Sequence, residues 1–347
     1  MELIISNTNF ENIGLIDNAV SVIWNTNYYE AGKFEIYVSS NEINLSLLKA
    51  DYYVSRKDDE NVGIIESINI TGDAESGEYI IASGRFLLSI LDRRIVWFQT
   101  QLSSTIENGI RNLITMNAIS PTSSNRKINN LELGTAQSFS ERLDKQITGK
   151  NLLDETVEIC QSASIGQKII RVNGKFQFNL YKGVNRSYSQ SENPHVVFSD
   201  KYDNLLKSNY TYDKTSLKNV CLIAGEGEGN ERKTATCLVG NPTGLARREM
   251  YADARNVSSN NGGISDTEYY AALTEQGNEE LTKTLITEVF EGEVEISNQY
   301  KYKEDFNVGD IVTIENSKWG IFINTRIIDV IESEDENGIK LIPTFGI

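Results

Sequence analysis

The sequence predicts an α+β protein that consists mainly of antiparallel β-strands. Three observations favour this class. Short apolar segments with period-two alternation recur along the chain, an Asn-Gly pair at 173–174 separates two of them as in a tight hairpin, and two Ser-x-x-Glu patterns mark helix starts. The helical patterns fill only the gaps between groups of strands, so we expect β-structure to dominate.

The first hundred residues are predicted to form strands. Phe34, Ile36 and Val38 alternate with Lys, Glu and Tyr, which is typical of a strand with one buried face. Apolar runs on both sides of the loop 72–77 predict a hairpin. A short helix is predicted over 86–92.

Helical patterns appear within residues 100–198. Ser104 with Glu107 three residues later is a capping-box pattern, and a second helix is predicted to start near Asn151, where acids follow in the first turn. The Asn-Gly hairpin at 173–174 comes next. This region is therefore predicted to be a small α+β insertion.

Strands resume after the insertion and continue, with one interruption, to the C-terminus. A polar loop at 256–263 precedes Ser265 and Glu268, a second capping-box pattern that opens a helix. The final strands are joined by an acidic loop at 333–338, where an Asn-Gly pair suits a tight turn, and Trp319 is predicted to lie in the core on one of these strands. The buried face of the last strand is predicted to consist of Ile339, Leu341, Pro343 and Phe345.

This pattern divides the chain into three parts. A first β-barrel-like domain is predicted from residues 1–99 and 199–255, and the α+β insertion from 100–198. A helix followed by a second β-barrel-like domain is predicted from 256–347. The length of 347 residues is sufficient for two or three domains.

The charge of the chain is strongly negative. It carries 49 acidic and 33 basic residues, a net charge of −16, which disfavours binding to nucleic acid or to an anionic membrane, because both need lysine and arginine. No apolar run approaches the ~20 residues of a membrane-spanning helix, and the N-terminus has no signal-peptide pattern. Two readings remain open: a soluble acidic surface, or an acidic passage through which DNA slides.

The three cysteines, Cys160, Cys221 and Cys237, do not have the spacing of a zinc site. A hairpin centred on Gly229 places Cys221 opposite Cys237. Cross-strand partners lie farther apart than the Cβ atoms of a disulfide, and a reducing site of synthesis disfavours the bond. We therefore predict two neighbouring free thiols there and a small core residue at Cys160.

The sequence shows no catalytic motif. His195 is the single histidine, so any Ser-His or Cys-His mechanism must use it, and its polar surroundings indicate an ordinary loop residue. The Gly-Glu-Gly-Glu-Gly segment at 225–229 lacks the Gly-Lys-Ser/Thr ending of a phosphate loop. We predict no catalytic residue, no metal site and no cofactor. Paired carboxylates are harder to exclude, because 49 acids offer many pairs.

Short motifs occur in a specific order along essentially the whole chain. They are Trp24, Tyr-Tyr-Glu-Ala-Gly-Lys-Phe-Glu-Ile at 28–36, Gly-Ile-Ile-Glu at 63–66, Gly-Arg-Phe-Leu-Leu-Ser-Ile-Leu-Asp-Arg-Arg at 84–94, the glycine-rich segment 225–229 with Arg232, Arg-Arg-Glu at 247–249, and the C-terminal strands at 309–315, 319–323 and 327–332. In this order and spacing the chain resembles the baseplate hub, or tail-associated, proteins of long-tailed bacteriophages. Asn25 and Ala31 stand where that family usually has Arg and Pro.

The resemblance implies a structural virion protein at the tail tip, assembled in the host cytoplasm. Such hubs form homotrimers in which two barrels per subunit make a ring of six similar units, so that a trimer can join a sixfold tail tube to threefold tip components. The implied partners are a distal tail or tail-tube protein, the tape measure protein, a separate receptor-binding or spike protein, and DNA in transit. Larger relatives carry C-terminal extensions, whose tasks are expected to belong to another chain here.

A passage for DNA is expected to be negative, because a basic lining would bind the duplex. Two acidic loops are candidates to line this passage or to contact other proteins. Their residues are Glu226, Glu228, Glu332, Glu334, Asp335 and Glu336. Two alternatives remain: a β-rich cell-wall hydrolase of the tail tip that uses paired carboxylates, and a monomeric surface adhesin, which the missing signal peptide disfavours.

Overall fold

The computed structural model describes residues 1–73, 77–259, 262–295 and 299–346. Its strands are β1 (Leu3–Ser6), β2 (Asn12–Ile16), β3 (Ser21–Asn27), β4 (Lys33–Ser39), β5 (Tyr53–Ser55), β6 (Val62–Asp73), β7 (Gly77–Phe86), β8 (Thr100–Thr105), β9 (Leu131–Leu133), β10 (Arg142–Ile147), β11 (Gly166–Val172), β12 (Lys175–Tyr181), β13 (Val197–Ser199), β14 (Leu205–Asp213), β15 (Val220–Ala224), β16 (Thr234–Leu238), β17 (Glu249–Asp253), β18 (Thr287–Val294), β19 (Ile311–Asn316), β20 (Ile321–Asp335) and β21 (Gly338–Gly346). The α-helices are α1 (Glu42–Leu47), α2 (Ile106–Ile114), α3 (Leu152–Ser162) and α4 (Asp266–Thr282).

The predicted fold class is confirmed: the chain is mainly antiparallel β with a few helices. The dominant feature is a 13-stranded sheet in the order β14-β18-β21-β20-β3-β4-β7-β6-β5-β1-β2, with β13 and β19 attached through β20. The N-terminal and C-terminal strand groups join where β20 pairs antiparallel with β3, with Glu332 opposite Trp24. One sheet therefore connects the two ends of the chain.

Three smaller sheets lie outside this large one. β8 pairs with β10, β9 joins the β11–β12 hairpin, and β15 lies between β16 and β17. The helix α4 packs against β15 and β16, whereas α2 and α3 contact each other near β8 and β11. The strand β14, in contrast, pairs with β18 of the C-terminal group. The division of the chain into two barrel-like domains and an insertion stays a prediction.

Buried apolar side chains of the described residues form four clusters. Each fully buried side chain of this kind contributes about 1.5–3 kcal/mol, so every region has a core of its own. The clusters include Trp24, Phe34 and Phe86 in the N-terminal strands, Leu113, Ile159 and Phe178 around α2 and α3, Phe198, Phe306 and Phe345 in the C-terminal strands, and Cys221, Tyr269 and Leu273 between β15 and α4.

Local turn signals are confirmed where they are strongest. Asn173 and Gly174 have φ angles of 49° and 78° and connect β11 to β12, with Val172 opposite Lys175; this is the left-handed conformation that a two-residue hairpin needs. The predicted short helix after β7 is a 3₁₀ helix at Leu87–Arg93. In the hairpin of β6 and β7, residues 74–76 of the predicted loop lie outside the described residues.

Of the three helix starts predicted after residue 100, two are confirmed. The side chain of Asn151 accepts hydrogen bonds from the first turn of α3, and Ser265 with Glu268 forms a complete capping box on α4. The third prediction is wrong by one residue. Ser104 belongs to β8, and the Thr105 hydroxyl accepts from the N–H of Asn108 instead.

The carboxylate of Glu107 has a different role from the predicted one. It is buried and accepts hydrogen bonds from the N–H groups of Gln137 and Phe139, at 2.6 and 3.1 Å. Because the strand continues through Ser104, the helix starts one residue later and Glu107 is free to hold a neighbouring loop. A loop contact this far along the chain has no local sequence signal.

The C-terminal strands match the prediction in part. Leu341, Pro343 and Phe345 face the core, but Ile339 is 54% exposed because it lies at the outer end of the hairpin. The turn consists of residues 336–337 and is followed by Gly338 at φ +102°, one residue earlier than the predicted Asn-Gly turn.

The prediction that Trp319 is a core residue is wrong. It lies in the turn between β19 and β20 and is 51% exposed. The side chain of Asn316 accepts a hydrogen bond from the N–H of Trp319, and Gly320 has a positive φ of 68°. This turn chemistry ends the strand before Trp319. Residues 260–261 of the predicted 256–263 loop, and Ile347, lie outside the described residues.

Candidate interaction site: acidic loops and buried charge clusters

The acids predicted at the last hairpin lie beside the N-terminus of the chain. Glu334 forms an ion pair with the Met1 ammonium. Asp335 accepts a hydrogen bond from the N–H of Asn337, and Glu336 is exposed in the turn. The charge of Glu334 is therefore compensated within the chain, whereas Glu336 faces solvent.

The acids predicted at the β15–β16 hairpin are placed differently from each other. Glu226 is half-buried; its carboxylate accepts from the N–H of Ser259 at 2.7 Å, and its own N–H donates to the Tyr269 hydroxyl at 2.8 Å. Glu228 is exposed. Within the described residues no hydrogen bond or ion pair joins this hairpin to the last one. Glu226 therefore fastens the hairpin to α4, and Glu228 is the more accessible acid.

A cluster of five charged residues, the sheet junction, lies where the N-terminal and C-terminal strands meet. Arg56 donates to Asp58 at 2.9 Å and to Glu332 at 3.1 Å. Lys303 binds Asp59 at 2.6 Å and Glu332 at 2.9 Å. Hydrogen bonding to Arg56 lowers the pKa of the Asp58 carboxyl despite partial burial. Two cations thus serve three carboxylates.

A cavity of about 510 Å³ adjoins the sheet junction. It is lined by residues of the N-terminal strands, of the β11–β12 hairpin and of the C-terminal strands, among them Asp59, Lys168 and Tyr302. Ion pairs occupy its charged walls: Lys168 binds Glu60 at 2.5 Å, and Lys303 binds Asp59. Sequence reasoning missed this site, because its residues are far apart in the chain.

The second charge cluster, the helix junction, connects β10 and α3 to α4. Lys145 forms ion pairs with Glu155, with Glu279 at 2.8 Å and with Glu158 at 3.8 Å. The side chains of Lys145 and Glu155 are only 7% and 1% exposed. Burial, helped by the charges of Glu155 and Glu158, raises the pKa of Glu279 to about 7 although Lys145 is adjacent. The Lys145 ammonium thus contacts three carboxylates, and Lys283 also binds Glu158, at 3.1 Å.

The geometry gives no support to the hydrolase alternative. A glycosidase needs two carboxylates across a cleft, one of them with a raised pKa. The pKa values of Glu279 and Asp329 are raised, to about 7 and about 6, but neither residue lines the cavity at the sheet junction. His195 lies on an exposed loop with its Nε2 2.6 Å from the Gln190 carbonyl oxygen.

The cysteine prediction is confirmed. Cys221 and Cys237 are cross-strand partners in β15 and β16, and both are buried and free, as is Cys160. Burial raises the pKa of the Cys221 thiol to about 11. A Cβ atom on Gly277 would approach the Cys237 sulfur to 2.5 Å, so this glycine permits the close contact of α4 with the hairpin.

Two further observations concern the described parts of the chain alone. No group of three or more His, Cys, Asp or Glu side chains among those residues could hold a metal ion. The helices of these described parts include no candidate for a membrane-spanning segment, by length and hydropathy.

Solved structures of phage tail proteins have this fold. The 43 kDa tail protein of prophage MuSo2 from Shewanella oneidensis is similar with a TM-score of 0.63 and 12% identity, over 99% of this chain and 98% of that one. The tail protein from Neisseria meningitidis MC58 is similar with a TM-score of 0.58 and 13% identity, over 99% of this chain and 95% of that one. For prophage tail protein gp18 from Listeria monocytogenes EGD-e, the TM-score is 0.53 and the identity 12%, over 99% of this chain and 94% of that one. At these identities the likeness concerns the fold alone.

Sequence comparison identifies the family. A search of curated proteins finds no match. The family model of the Siphovirus ReqiPepy6 Gp37-like proteins matches residues 2–347. The chain therefore belongs to the Siphovirus ReqiPepy6 Gp37-like protein family, a family of siphovirus tail proteins.

Proposed function

We propose that this phage tail protein is the homotrimeric hub at the distal end of the tail, or of a phage-derived particle. The observation that supports this role best is the extent of the fold similarity. It covers 99% of this chain and 94% to 98% of three tail proteins, so the whole molecule, and not one module of it, has the tail-protein architecture.

The arrangement of the sheet supports two hub domains per chain. The N-terminal and C-terminal strands have separate aromatic cores, and they are joined by the pairing of β20 with β3. In this proposal the two strand groups are the two barrel-like units, and the segment 100–198 is inserted between them. Three chains then present six similar units to a sixfold tail tube and threefold symmetry to the tip.

The two edge strands of the large sheet are candidate subunit contacts. β14 and β2 lie at the two ends of the strand order, and each exposes large apolar side chains on its surface. These side chains are Leu206 and Tyr212 on β14 and Ile13 and Leu15 on β2, all 40% to 55% exposed. Exposed edges of this kind pair with other chains unless they are covered, so a ring of subunits would protect them.

The proposed ring ends the DNA channel and has an acidic lumen. Glu228 and Glu336 are the exposed acids of the two predicted loops, and Glu226, Glu332, Glu334 and Asp335 contribute less because they have partners within the chain. An acidic lining repels DNA over about 8–10 Å at physiological salt. The proposed neighbours are a tail-tube protein, the tape measure protein and a separate receptor-binding or spike protein.

Electron microscopy of the purified chain tests the hub proposal. We expect threefold ring-shaped particles. The variant Leu206→Glu, on edge strand β14, is expected to abolish the rings, whereas the control Leu245→Glu, at a fully exposed residue of a short 3₁₀ helix, is expected to leave them intact. Rings that survive Leu206→Glu would exclude β14 as the contact, and images of isolated single chains would overturn the trimer.

We also propose that the chain has no hydrolytic activity of its own. Charged side chains that line the cavity at the sheet junction, among them Asp59, Lys168 and Lys303, form ion pairs. A suspension of peptidoglycan incubated with the purified protein is expected to keep its turbidity. Clearance that a Glu332→Gln or Glu279→Gln substitution abolishes would contradict this proposal.

A further inference from the structure

A second cavity, of about 590 Å³, lies beside the segment that enters the insertion. Its walls are two segments, 92–98 and 122–126, the first at the end of the 3₁₀ helix Leu87–Arg93 and the second including the short 3₁₀ helix Ser124–Arg126. We call it the arginine pocket, because it is lined by Arg93, Arg94 and Arg126 together with Trp97 and Phe98. Cavities of this size hold small ligands or a few side chains of a peptide.

The two walls of the arginine pocket are held together by their own arginines. Arg94 donates from Nε to the Arg126 carbonyl at 2.6 Å, and Arg126 donates from Nη2 to the Ile95 carbonyl at 2.7 Å. The N–H of Trp97 donates to the buried side chain of Asn117 at 3.1 Å. The pocket is therefore formed before any ligand arrives, which lowers the entropic cost of binding.

The arginine pocket is basic within a chain of net charge −16. Among the described residues no carboxylate forms an ion pair with Arg93, Arg94 or Arg126. Asp92 also lines the pocket, but it is bound by Arg85 at 2.9 Å and by the Asn151 side chain at 2.8 Å. Burial, Arg126 and Arg93 lower the pKa of Arg94. Within the described part of the chain, three guanidinium groups thus lack an anionic partner.

Two aromatic side chains of the arginine pocket face solvent. Trp97 is 56% exposed and Phe98 is 57% exposed, although rings of this size bury large areas when a partner is present. The Arg126 guanidinium lies 4.8 Å from the centre of the Trp97 ring. Tryptophan and arginine are among the side chains enriched in the residues that dominate binding energy at protein interfaces.

We propose that the arginine pocket binds an acidic peptide segment of a partner protein, with one large apolar side chain seated between Trp97 and Phe98 and carboxylates on the guanidinium groups. Charge complementarity selects this occupant. A nucleic acid would need a longer basic groove that follows its backbone, whereas the basic residues here line a single pocket. The inference rests on the proposed tail role only for the nature of the partner, since the pocket lies within one chain.

Fluorescence anisotropy with defined peptides tests this proposal on the full-length chain. The probe is a rhodamine-labelled Gly-Asp-Phe-Glu-Leu-Asp-Gly peptide. The comparison probes replace its acids by lysine, or its Phe and Leu by serine, and a labelled oligodeoxythymidine represents nucleic acid. We expect binding of the first probe alone. Equal binding of the lysine peptide or of the oligonucleotide would overturn the proposal, as would no binding of the acidic peptide up to about 1 mM.

Three substitutions identify the site. Arg93→Glu and Trp97→Ala are each expected to weaken binding by about tenfold or more, because they remove a charged partner or an aromatic wall. Both side chains are exposed, so folding is retained. The control Lys127→Glu makes the same charge change at an exposed residue next to Arg126 and is expected to change affinity by less than about threefold. An equal loss in all three variants would mean non-specific attraction and would refute the site.

The result is separable from the hub proposal. If the peptide does not bind, the pocket proposal fails, but the expected ring particles are not affected. If the protein forms single-chain particles that bind the peptide, the trimer is refuted and the pocket proposal stands.

Discussion

The sheet junction and the helix junction both connect distant parts of the chain, but within the described residues only the parts at the sheet junction are also joined by paired strands. Both hold distant parts of the chain together with clusters of charged side chains, some of which are buried. At the sheet junction, Arg56 and Lys303 serve three carboxylates, and the paired strands β20 and β3 add backbone hydrogen bonds. At the helix junction, Lys145 is the central cation for three carboxylates, and β10 and α4 share no sheet pairing.

This difference determines where the molecule responds to pH and to mutation. The arginine at the sheet junction stays charged at every physiological pH, and the pKa of its partner Asp58 is lowered. At the helix junction the pKa of Glu279 is raised to about 7. The sheet junction is therefore a permanent connection, whereas the attachment of α4 depends on protonation near neutral pH.

The largest effect is expected at Lys145. Replacing it by methionine leaves Glu155, whose side chain is 1% exposed, without its ammonium partner. Loss of one partner of a buried pair costs about 3–5 kcal/mol, measured as the fall in the free energy of unfolding by chemical denaturation. The control is Lys150→Met, which makes the same change at an exposed lysine shortly after the end of β10. A Lys145→Met protein as stable as the control would show that the cluster is not a stabilising contact.

A smaller effect is expected at Arg56, because Lys303 continues to neutralise Glu332. Arg56→Met should lower the free energy of unfolding by about 2–3 kcal/mol, and by nearly the same amount at pH 6 and pH 8. The neighbouring exposed Lys57→Met serves as the control. If Arg56→Met lowers the free energy of unfolding more than Lys145→Met does, or if its effect differs strongly between pH 6 and pH 8, the proposed difference between the two junctions is wrong.

The smallest effect is the pH dependence due to Glu279. The pKa of Glu279 in the folded chain is about 7, above its ordinary value of 4.5. Between pH 4.5 and about pH 7 the folded state therefore binds more protons than the unfolded state. The stability from this group is present at low pH and is lost as the pH rises through about 7. Wild type should lose about 1–2 kcal/mol more than Glu279→Gln between pH 5 and pH 8.

Asp329 contributes in the same direction to both proteins, because burial raises its pKa to about 6. The difference between wild type and Glu279→Gln therefore isolates the helix junction. Parallel stability curves for the two proteins from pH 5 to pH 8 would show that Glu279 does not titrate in this range.

The sequence predicted features that local chemistry determines. The Asn173–Gly174 turn, the Ser265 capping box and the pairing of Cys221 with Cys237 depend on nearby residues. Such signals need only a turn preference or a symmetric hairpin.

Element boundaries were less well determined. The predicted cap at Ser104 is displaced by one residue, because β8 continues through it. Trp319 was predicted on a strand, but it lies in the turn between β19 and β20. In both places the local pattern indicates the correct type of element, whereas the residue at which that element begins or ends depends on turn and cap contacts.

Long-range contacts could not be predicted from the sequence. The pairing of β14 with β18, and of β20 with β3, joins segments separated by many residues, and alternating apolar patterns do not specify which strands become neighbours. Both charge junctions and the arginine pocket depend on such neighbours. Among 82 charged residues, formed from 49 acids and 33 bases, no local pattern distinguishes Lys145 or Arg56 from a surface residue.

Three copies of this chain are proposed to form one hub. Sedimentation velocity of the purified full-length chain at micromolar concentration and physiological salt distinguishes this trimer from a single chain. A permanent interface of more than about 2,000 Å² should keep the trimer intact on dilution. We predict one main species with three times the mass of a single chain. A main species with the mass of one chain throughout the micromolar range would refute the trimeric hub.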